Sequence, residues 1–336
     1  MSWRHRYWDA LVADSPDRMM GHAVFWHFLN QIADDFTLKQ THSPRHTSTP
    51  VVPVVWDSDL NGGNQGLSQH KIRSLKLNGG LGTTLGCTGA KGMVTLDKQG
   101  KYSFLDHVMR FIPAETLVFL NSYHTHADCS PHLDAHGVAS IMQNRWPCLT
   151  DQALSRREWA PPGHGDVLAV LADLNCVDQW LQAGYDTLFI SNIDNLGAMP
   201  DPRLASLLHT GYHALVEVTP QRTTDRKGGQ FVLDNGRLHL SESLDQPGLM
   251  NTNSLWLSLP HLKHWLVSPV GLTECLLNHK WRAGNPVIQI ESALGSCLQH
   301  IAKTAVVQVA RSRFQPVKSQ ADLDRVRQDY HLQFGK

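Results

Sequence analysis

The chain of 336 residues has no charge of one sign to spare: thirty lysines and arginines balance thirty aspartates and glutamates. Nucleic-acid binders and proteins held on acidic membrane surfaces need a basic excess, so neither partner is expected. No apolar run comes near the ~20 residues of a membrane-spanning helix. Met1-Ser2-Trp3-Arg4-His5-Arg6 is not followed by an apolar stretch. A secretory signal is therefore not expected, and the cytoplasm is the expected compartment. Cysteine is sparse. Cys87, Cys129, Cys148, Cys176, Cys275 and Cys297 are scattered, and none forms a Cys-x-x-Cys pair. That pattern reads as free thiols in a reducing compartment. Internal repeats and low-complexity tracts are also missing.

Glycine, by contrast, is concentrated. Lys76-Leu77-Asn78-Gly79-Gly80-Leu81-Gly82-Thr83-Thr84-Leu85-Gly86-Cys87-Thr88-Gly89-Ala90-Lys91 begins as a strand and becomes a glycine-dense loop ending at a lysine. Glycines let backbone amides approach a ligand without interference from Cβ. Successive amides can form an anion-binding concavity, and Lys91 adds a mobile point charge. The phosphates of a nucleotide suit that combination, and a purely structural turn is the alternative. Two common loops do not fit. A Walker A loop ends Gly-Lys-Ser/Thr, whereas Gly89-Ala90-Lys91-Gly92 has no hydroxyl after the lysine. The dinucleotide fingerprint Gly-x-Gly-x-x-Gly fails because the glycine after Gly80-Leu81-Gly82 comes one residue late, at Gly86.

Apolar periodicity predicts a packed helix over 19–36, then a long surface crossing over 37–70 with a strand-like piece at 51–56. Strands are expected at 75–77, 116–121, 187–191, 213–219, 230–233 and 255–259. Helices are expected at 104–111, 167–171, 177–183 and 260–266. Such alternation predicts an open α/β sheet with helices on both faces and ligands at the carboxyl ends of strands.

Beyond the glycine loop, several stretches follow in a fixed order. They are Asn121-Ser122, Pro161-Pro162-Gly163-His164-Gly165-Asp166, Ser191-Asn192-Ile193-Asp194-Asn195-Leu196-Gly197-Ala198 and Glu217-Val218-Thr219. Then come Lys227-Gly228-Gly229, Asn251-Thr252-Asn253-Ser254-Leu255-Trp256, Gln289-Ile290-Glu291, and Arg311-Ser312-Arg313-Phe314-Gln315-Pro316-Val317-Lys318. In number and order, over roughly residues 70–332, these motifs resemble the UTP–glucose-1-phosphate uridylyltransferases, also called UDP-glucose pyrophosphorylases. The resemblance implies a Rossmann-like nucleotidyltransferase core of the glycosyltransferase-A type with a mixed central sheet. Residues 1–70 would be a helical segment and long loop packed on a catalytic domain of 71–336. Eukaryotic relatives carry a further C-terminal β-helix domain, which is expected to be absent here, and a monomer is expected over a dimer. The aromatics of the N-terminal segment, Trp3, Tyr7, Trp8, Phe25, Trp26 and Phe28, exceed what one helix face needs, and an apolar patch left exposed there would favour the dimer alternative.

The implied reaction joins UTP and glucose 1-phosphate to give UDP-glucose and pyrophosphate, reversibly. The sugar phosphate attacks the α-phosphorus in line, so the protein must align reactants and stabilise spreading negative charge. By resemblance, Lys91 meets the leaving pyrophosphate, and Lys318 meets the α-phosphate and the sugar phosphate. Asp194 follows an apolar strand and would hold Mg²⁺; a turn or N-cap aspartate is the plain alternative. Gln143 is the implied uracil reader, because a primary amide complements O4 and N3–H. Leu77, Asn78, Gly79, Gly80 and Gly163 would complete that pocket. His164, Asn192, Glu217, Gly229 and Asn251 are the implied sugar-side residues, whereas Arg311 and Arg313 are expected to pair within the fold. Ala90 stands where relatives usually have proline, and Gly92 where they often have serine, which should loosen the loop. Thr84 replaces an arginine used by distant bacterial sugar nucleotidyltransferases. The competing readings are another sugar 1-phosphate and a non-catalytic UDP-sugar sensor. His124, His126, Cys129, His132 and His136 invite a zinc reading, but histidines four apart on a helix more often share a solvated face.

Overall fold

The computed structural model describes residues 17–34, 49–55, 70–150, 154–223, 225, 229–241, 248–282 and 284–334. Trp3, Tyr7, Trp8, Lys227 and Gly228 lie outside the described residues. The strands are β1 (Thr49–Pro50), β2 (Val54–Val55), β3 (Ile72–Asn78), β4 (Leu117–Asn121), β5 (Ala139–Met142), β6 (Trp146–Leu149), β7 (Leu154–Ala160) and β8 (Thr187–Asn192). They continue with β9 (Ala214–Pro220), β10 (Gln230–Asp234), β11 (Arg237–Ser241), β12 (Leu249–Ser258), β13 (Glu274–Arg282), β14 (Asn285–Ala293) and β15 (Thr304–Gln308). The helices are α1 (Met19–Asp34), α2 (Phe104–Phe111), α3 (His126–Ala135), α4 (Val167–Asp173), α5 (Cys176–Gln182), α6 (Pro202–Leu208), α7 (Leu259–Trp265) and α8 (Gln320–Phe334).

The central sheet runs β2-β15-β9-β12-β8-β3-β4-β5. β8, β3, β4 and β5 are parallel, as are β9, β15 and β2, while β12 runs antiparallel between β9 and β8. This is the mixed, Rossmann-like central sheet that the sequence resemblance implies. Its inner strands are mostly apolar and buried because both faces are covered, with Lys76 on β3 and Glu217 on β9 as buried charges among them. Leu75, Val118, Leu188 and Ile190 join one core with α4, α5 and α7, whereas Phe119 joins a second with α2, α3 and α8. Among the described residues no helix is long and apolar enough to cross a membrane.

Two local devices position the cleft. The glycine loop closes on itself: Leu81 bridges Ala90, Gly82 N donates to Gly89 O at 2.9 Å, and Lys91 N donates to Gly80 O at 3.0 Å. Those amides are spent on the loop's own shape, so the concavity expected from a free run of amides is narrower than the spacing suggests. Nor does Gly92 loosen the loop. A Cβ there would stand 2.5 Å from Asn78 Oδ1, so glycine is what lets the loop pack down on β3. The second device joins residues 194–199 to residues 313–318 by backbone pairing. Val317 N donates to Asp194 O at 2.9 Å, Leu196 N to Gln315 O at 3.2 Å, and Gln315 N to Asn195 Oδ1 at 2.8 Å.

A smaller sheet of β13-β14-β6-β7 forms the opposite rim. The hairpin β13–β14 was not expected from periodicity, and neither was α8. α1 packs on this side of the molecule. Phe25 and Phe28 meet Trp146 at ring-centroid distances of 5.5 and 6.0 Å, and the Asp173 carboxylate accepts from the amides of Met20 and Gly21.

Candidate functional site

The carboxyl ends of β3, β4, β5 and β8 stop level with one another: Leu77 pairs Asn192, Asn78 pairs Asn121, and Asn121 pairs Met142. A cleft of about 620 Å³ opens there. It is the ligand position that an open parallel sheet provides. Leu77, Gly79, Gly80, Lys91, Gln143, Gly163, His164, Asn192, Asp194 and Lys318 all line it.

At its centre is Asp194, just past β8. Its Oδ2 accepts from Lys91 Nζ and from Lys318 Nζ, each at 2.9 Å, while its buried Oδ1 has no partner. Burial alone would push this carboxyl up. The charges of Lys318 and Lys91, with their hydrogen bonds, outweigh that and hold it below the usual carboxylate range. Lys91 comes from the glycine loop and Lys318 from a segment more than two hundred residues later. Lys318 is followed at once by the cap of α8, in which Asp322 Oδ2 accepts from the amides of Lys318 and Ser319.

Gln143 stands between two glycines. Its Nε2 donates to Gly163 O at 2.8 Å, and a Cβ on Gly79 would approach its Oε1 to 2.6 Å. Gly163 has φ +78°, and a Cβ there would lie 2.8 Å from Ser292 O. Glycine is therefore required on two counts. One Nε2 hydrogen is used, leaving one donor and the Oε1 acceptor of the amide. His164 Nδ1 accepts from Leu294 N at 2.9 Å, which fixes the ring proton on Nε2. Burial first, and the Lys318 charge second, push this imidazole down to about 4. It is a neutral donor at physiological pH.

Four expected residues do not line the cleft. Glu217 is fully buried on β9. Its carboxylate takes two bonds from Arg313, at 2.6 and 2.8 Å, and one from Trp256 Nε1 at 2.9 Å. With its near lone pairs so engaged, it ties the 313–318 segment to the sheet instead of lining the cleft. Asn251 and Gly229 sit together away from the cleft wall, the Asn251 amide donating to Gly229 O at 2.8 Å. Their link to the site passes through the bulge in β12, where Asn253 Nδ2 donates to Asn192 Oδ1 at 2.9 Å. Asn78 is buried beneath the loop, its Nδ2 donating to Asn121 Oδ1 at 2.7 Å, and it shapes the pocket floor from below. Arg311 and Arg313 pair within the fold as expected, with Asp225 and Glu217.

The residues that periodicity missed come from the hairpin. Asn278, Lys280 and Arg282 of β13, and Gln289 and Glu291 of β14, alternate onto the cleft face, with Trp281 beside them. Their signal was the alternation of polar residues on either side of Gly284, which takes φ +79° in the tight turn that pairs Arg282 with Asn285. Of the histidine-rich stretch, only His124 reaches the cleft.

The family model described as UTP–glucose-1-phosphate uridylyltransferase matches residues 24–335. A relative of that name from Hordeum vulgare is 32% identical over 297 residues, covering 78% of this chain and 62% of its own length. Another, named as a probable enzyme of that kind, from Schizosaccharomyces pombe is 32% identical over 332 residues, covering 85% of this chain and 65% of its own. The chain thus spans under two thirds of the length of these curated relatives. Among solved structures, a variant UDP-glucose pyrophosphorylase from Leishmania major in complex with UDP-glucose superposes with a TM-score of 0.79 at 26% identity, covering 95% of this chain and 78% of that one. A UDP-glucose phosphorylase from Trypanosoma brucei gives a TM-score of 0.76 at 27% identity, covering 90% and 74%. The extent of the family match, on a sheet whose strand ends carry the family's loops, makes this chain a member of the UTP–glucose-1-phosphate uridylyltransferase family.

Proposed function

We propose that this chain transfers the uridylyl group of UTP to glucose 1-phosphate, releasing pyrophosphate, and runs the reaction in reverse. The observation that carries the reading is the Lys91–Asp194–Lys318 arrangement beside the Gln143 amide in one cleft. Two ammonium groups held on one carboxylate are positioned before substrate arrives. A triphosphate offers them stronger acceptors, and the same cations then meet charge that spreads during in-line attack at the α-phosphorus. Gln143 reads uracil with its remaining donor and acceptor, over a floor of Leu77, Gly79, Gly80 and Gly163, with Asn78 supporting that floor. His164 donates Nε2–H to a phosphate or sugar oxygen. Asn192, held by Asn253, faces the sugar side, while Gly229 and Asn251 would reach the sugar only through movement of the β12 bulge. Glu217 acts at one remove, through Arg313.

The unpartnered, buried Oδ1 of Asp194 fits one oxygen ligand of a Mg²⁺ ion. Bound there, the ion would neutralise phosphate charge. All cleft residues come from one chain, so a monomer should be competent, with a mass near 37.6 kDa by light scattering.

The test is pyrophosphate release with UTP and a panel of sugar 1-phosphates. Lys318→Ala should lower kcat several hundredfold, the equivalent of about 3–4 kcal/mol, with little change in UTP affinity. Half the wild-type rate in that variant, or full activity in EDTA, would refute the respective assignment. Preference for another sugar 1-phosphate would keep the chemistry and change the substrate.

A further inference from the structure

Outside the cleft, two groups among the described residues bring three metal-ligating side chains together. One joins His70, Asp186 and His209. There the two imidazoles stack 3.9 Å apart at 13°, and His209 Nε2 already meets Thr187 Oγ1 at 2.8 Å. In-plane lone pairs on parallel rings do not converge on one ion without turning a ring. The other joins Asp106 of α2 with His132 of α3 and His136, the residue that caps the C-terminus of α3, and its geometry differs. The two histidines are one helical turn apart, on the same face. His136 Nδ1 donates to His132 O at 2.8 Å, so its Nε2 carries the free lone pair. Backbone orientation of this kind is how ligating histidines are usually held. Asp106 Oδ2 accepts from the amide and hydroxyl of Ser103 at 2.8 and 2.6 Å, leaving Oδ1 directed at His132 Nε2, 2.8 Å away. All three ligand atoms lie within 4.8 Å of one another.

We infer that Asp106, His132 and His136 form a binding site for a divalent d-block cation, with Zn²⁺ the best match to a donor set of two imidazoles and one carboxylate. Ligand distances of about 2.0–2.2 Å require donor atoms roughly 3.3–3.5 Å apart. The His132–Asp106 contact has only to open slightly, and the His136 ring, at the exposed end of the helix, has to swing in. On binding, the His132 Nε2 proton moves to Nδ1 or to solvent, and the ion replaces the hydrogen bond between ring and carboxylate. A solvent water takes the fourth position.

The site clamps α2 to α3 behind the glycine loop. Asp128 of α3 accepts from Ala90 N at 3.1 Å, and Cys129 Sγ meets Asn78 Nδ2 at 3.3 Å. Metal there would stiffen the support of Lys91 without entering the cleft.

The experiment is titration of the full chain with ZnCl₂ by calorimetry, and with CoCl₂ by its ligand-field spectrum, alongside a thermal melt. Wild type should take up one equivalent in a tetrahedral Co²⁺ spectrum, and its Tm should rise with Zn²⁺. His136→Ala, a change at an exposed position, should weaken binding at least about tenfold and abolish the Tm rise. His209→Ala should bind as wild type. Weak uptake of several equivalents, equal in wild type and His136→Ala, would overturn the proposal, because scattered surface histidines behave that way. Loss of the single tight equivalent in His209→Ala instead would overturn it too.

Discussion

Glu217→Gln separates a sugar contact from a structural one. The wild-type carboxylate is fully buried and receives three hydrogen bonds, two from Arg313 and one from Trp256. Glutamine keeps the volume and one acceptor, enough for the indole. It leaves the Arg313 guanidinium, whose side chain is only 15% exposed, without its counter-charge. Lys76 makes this worse. It is buried beside the pair, and its amine is pushed down to about 7, by burial first and by Arg313 second, with Glu217 acting against them. Breaking a buried pair from one side costs about 3–5 kcal/mol. The retained acceptor places this substitution near 3 kcal/mol, a large share of a typical 5–15 kcal/mol of stability. The melting temperature should fall by about 4 °C in a chain of this length. Arg313 also donates to Met199 O at 2.9 Å, so its release should loosen the segment that aims Lys318 and lower kcat more than it raises KM for glucose 1-phosphate. Removing both partners with Glu217→Leu/Arg313→Met should recover part of the lost stability, since the guanidinium is no longer orphaned while the Trp256 indole N–H and the Lys76 amine still lose Glu217. A melting temperature within 1 °C of wild type, together with a KM for the sugar phosphate raised tenfold, would refute this reasoning and return Glu217 to the sugar pocket.

Gly197→Ala should cut activity sharply, because a Cβ there would stand 2.1 Å from Ser312 O and force apart the two segments that bring Asp194 to Lys318; wild-type kinetics would show that this close approach is dispensable. His164 should remain the neutral Nε2–H tautomer down to about pH 5 in a ¹⁵N-histidine NMR titration, its imidazole being held near 4. Below pH 6.5 the unfolded chain takes up a proton that folded His164 refuses, so this group makes stability fall as pH drops from 6.5 towards 4; a His164 titrating near 6.5 would contradict its burial. Gln143→Ala should collapse the preference for UTP over CTP, expected at on the order of a thousandfold from two mismatched buried bonds of about 1–3 kcal/mol each. An unchanged UTP/CTP ratio would place the base reader elsewhere.

The elements that were legible in sequence are those whose stability is local or whose burial is two-sided. The helix expected at 104–111 is found at Phe104–Phe111, started by a Ser103–Asp106 capping box. β8 reads as an unbroken apolar run because both its faces are covered. The hairpin β13–β14 was opaque for the opposite reason. Its cleft-facing residues are polar and the other face is only partly buried, so neither a continuous apolar run nor a clean alternation of apolar residues appears. Helix α8 has weak amphipathicity, with Leu323 and Tyr330 as its buried anchors. Glu217 illustrates a deeper limit. The sequence reads Arg313 as an internal pair and Glu217 as a sugar ligand, yet the two are ends of one interaction. A charge in an apolar strand is expensive to bury alone, so it signals a partner, but nothing local identifies one that is 96 residues away.

Net charge also misleads when averaged over the chain. A protein with no overall excess would not be chosen as a polyanion binder, and its surface offers little long-range steering. Within the cleft the balance differs: Lys91, Lys280, Arg282 and Lys318 face Asp194 and Glu291, and His164 stays neutral. Asp194 keeps two of the cations in place before any ligand arrives, at the cost of an unpartnered Oδ1. Interactions at such a partly enclosed site are screened less than on the surface. The local excess therefore acts at contact range, where orientation and transition-state charge matter, and not at a distance. Long-range attraction would raise encounter rates alone. On this reasoning kcat/KM for UTP should depend only weakly on ionic strength in wild type, even though loss of either lysine at the centre should lower turnover.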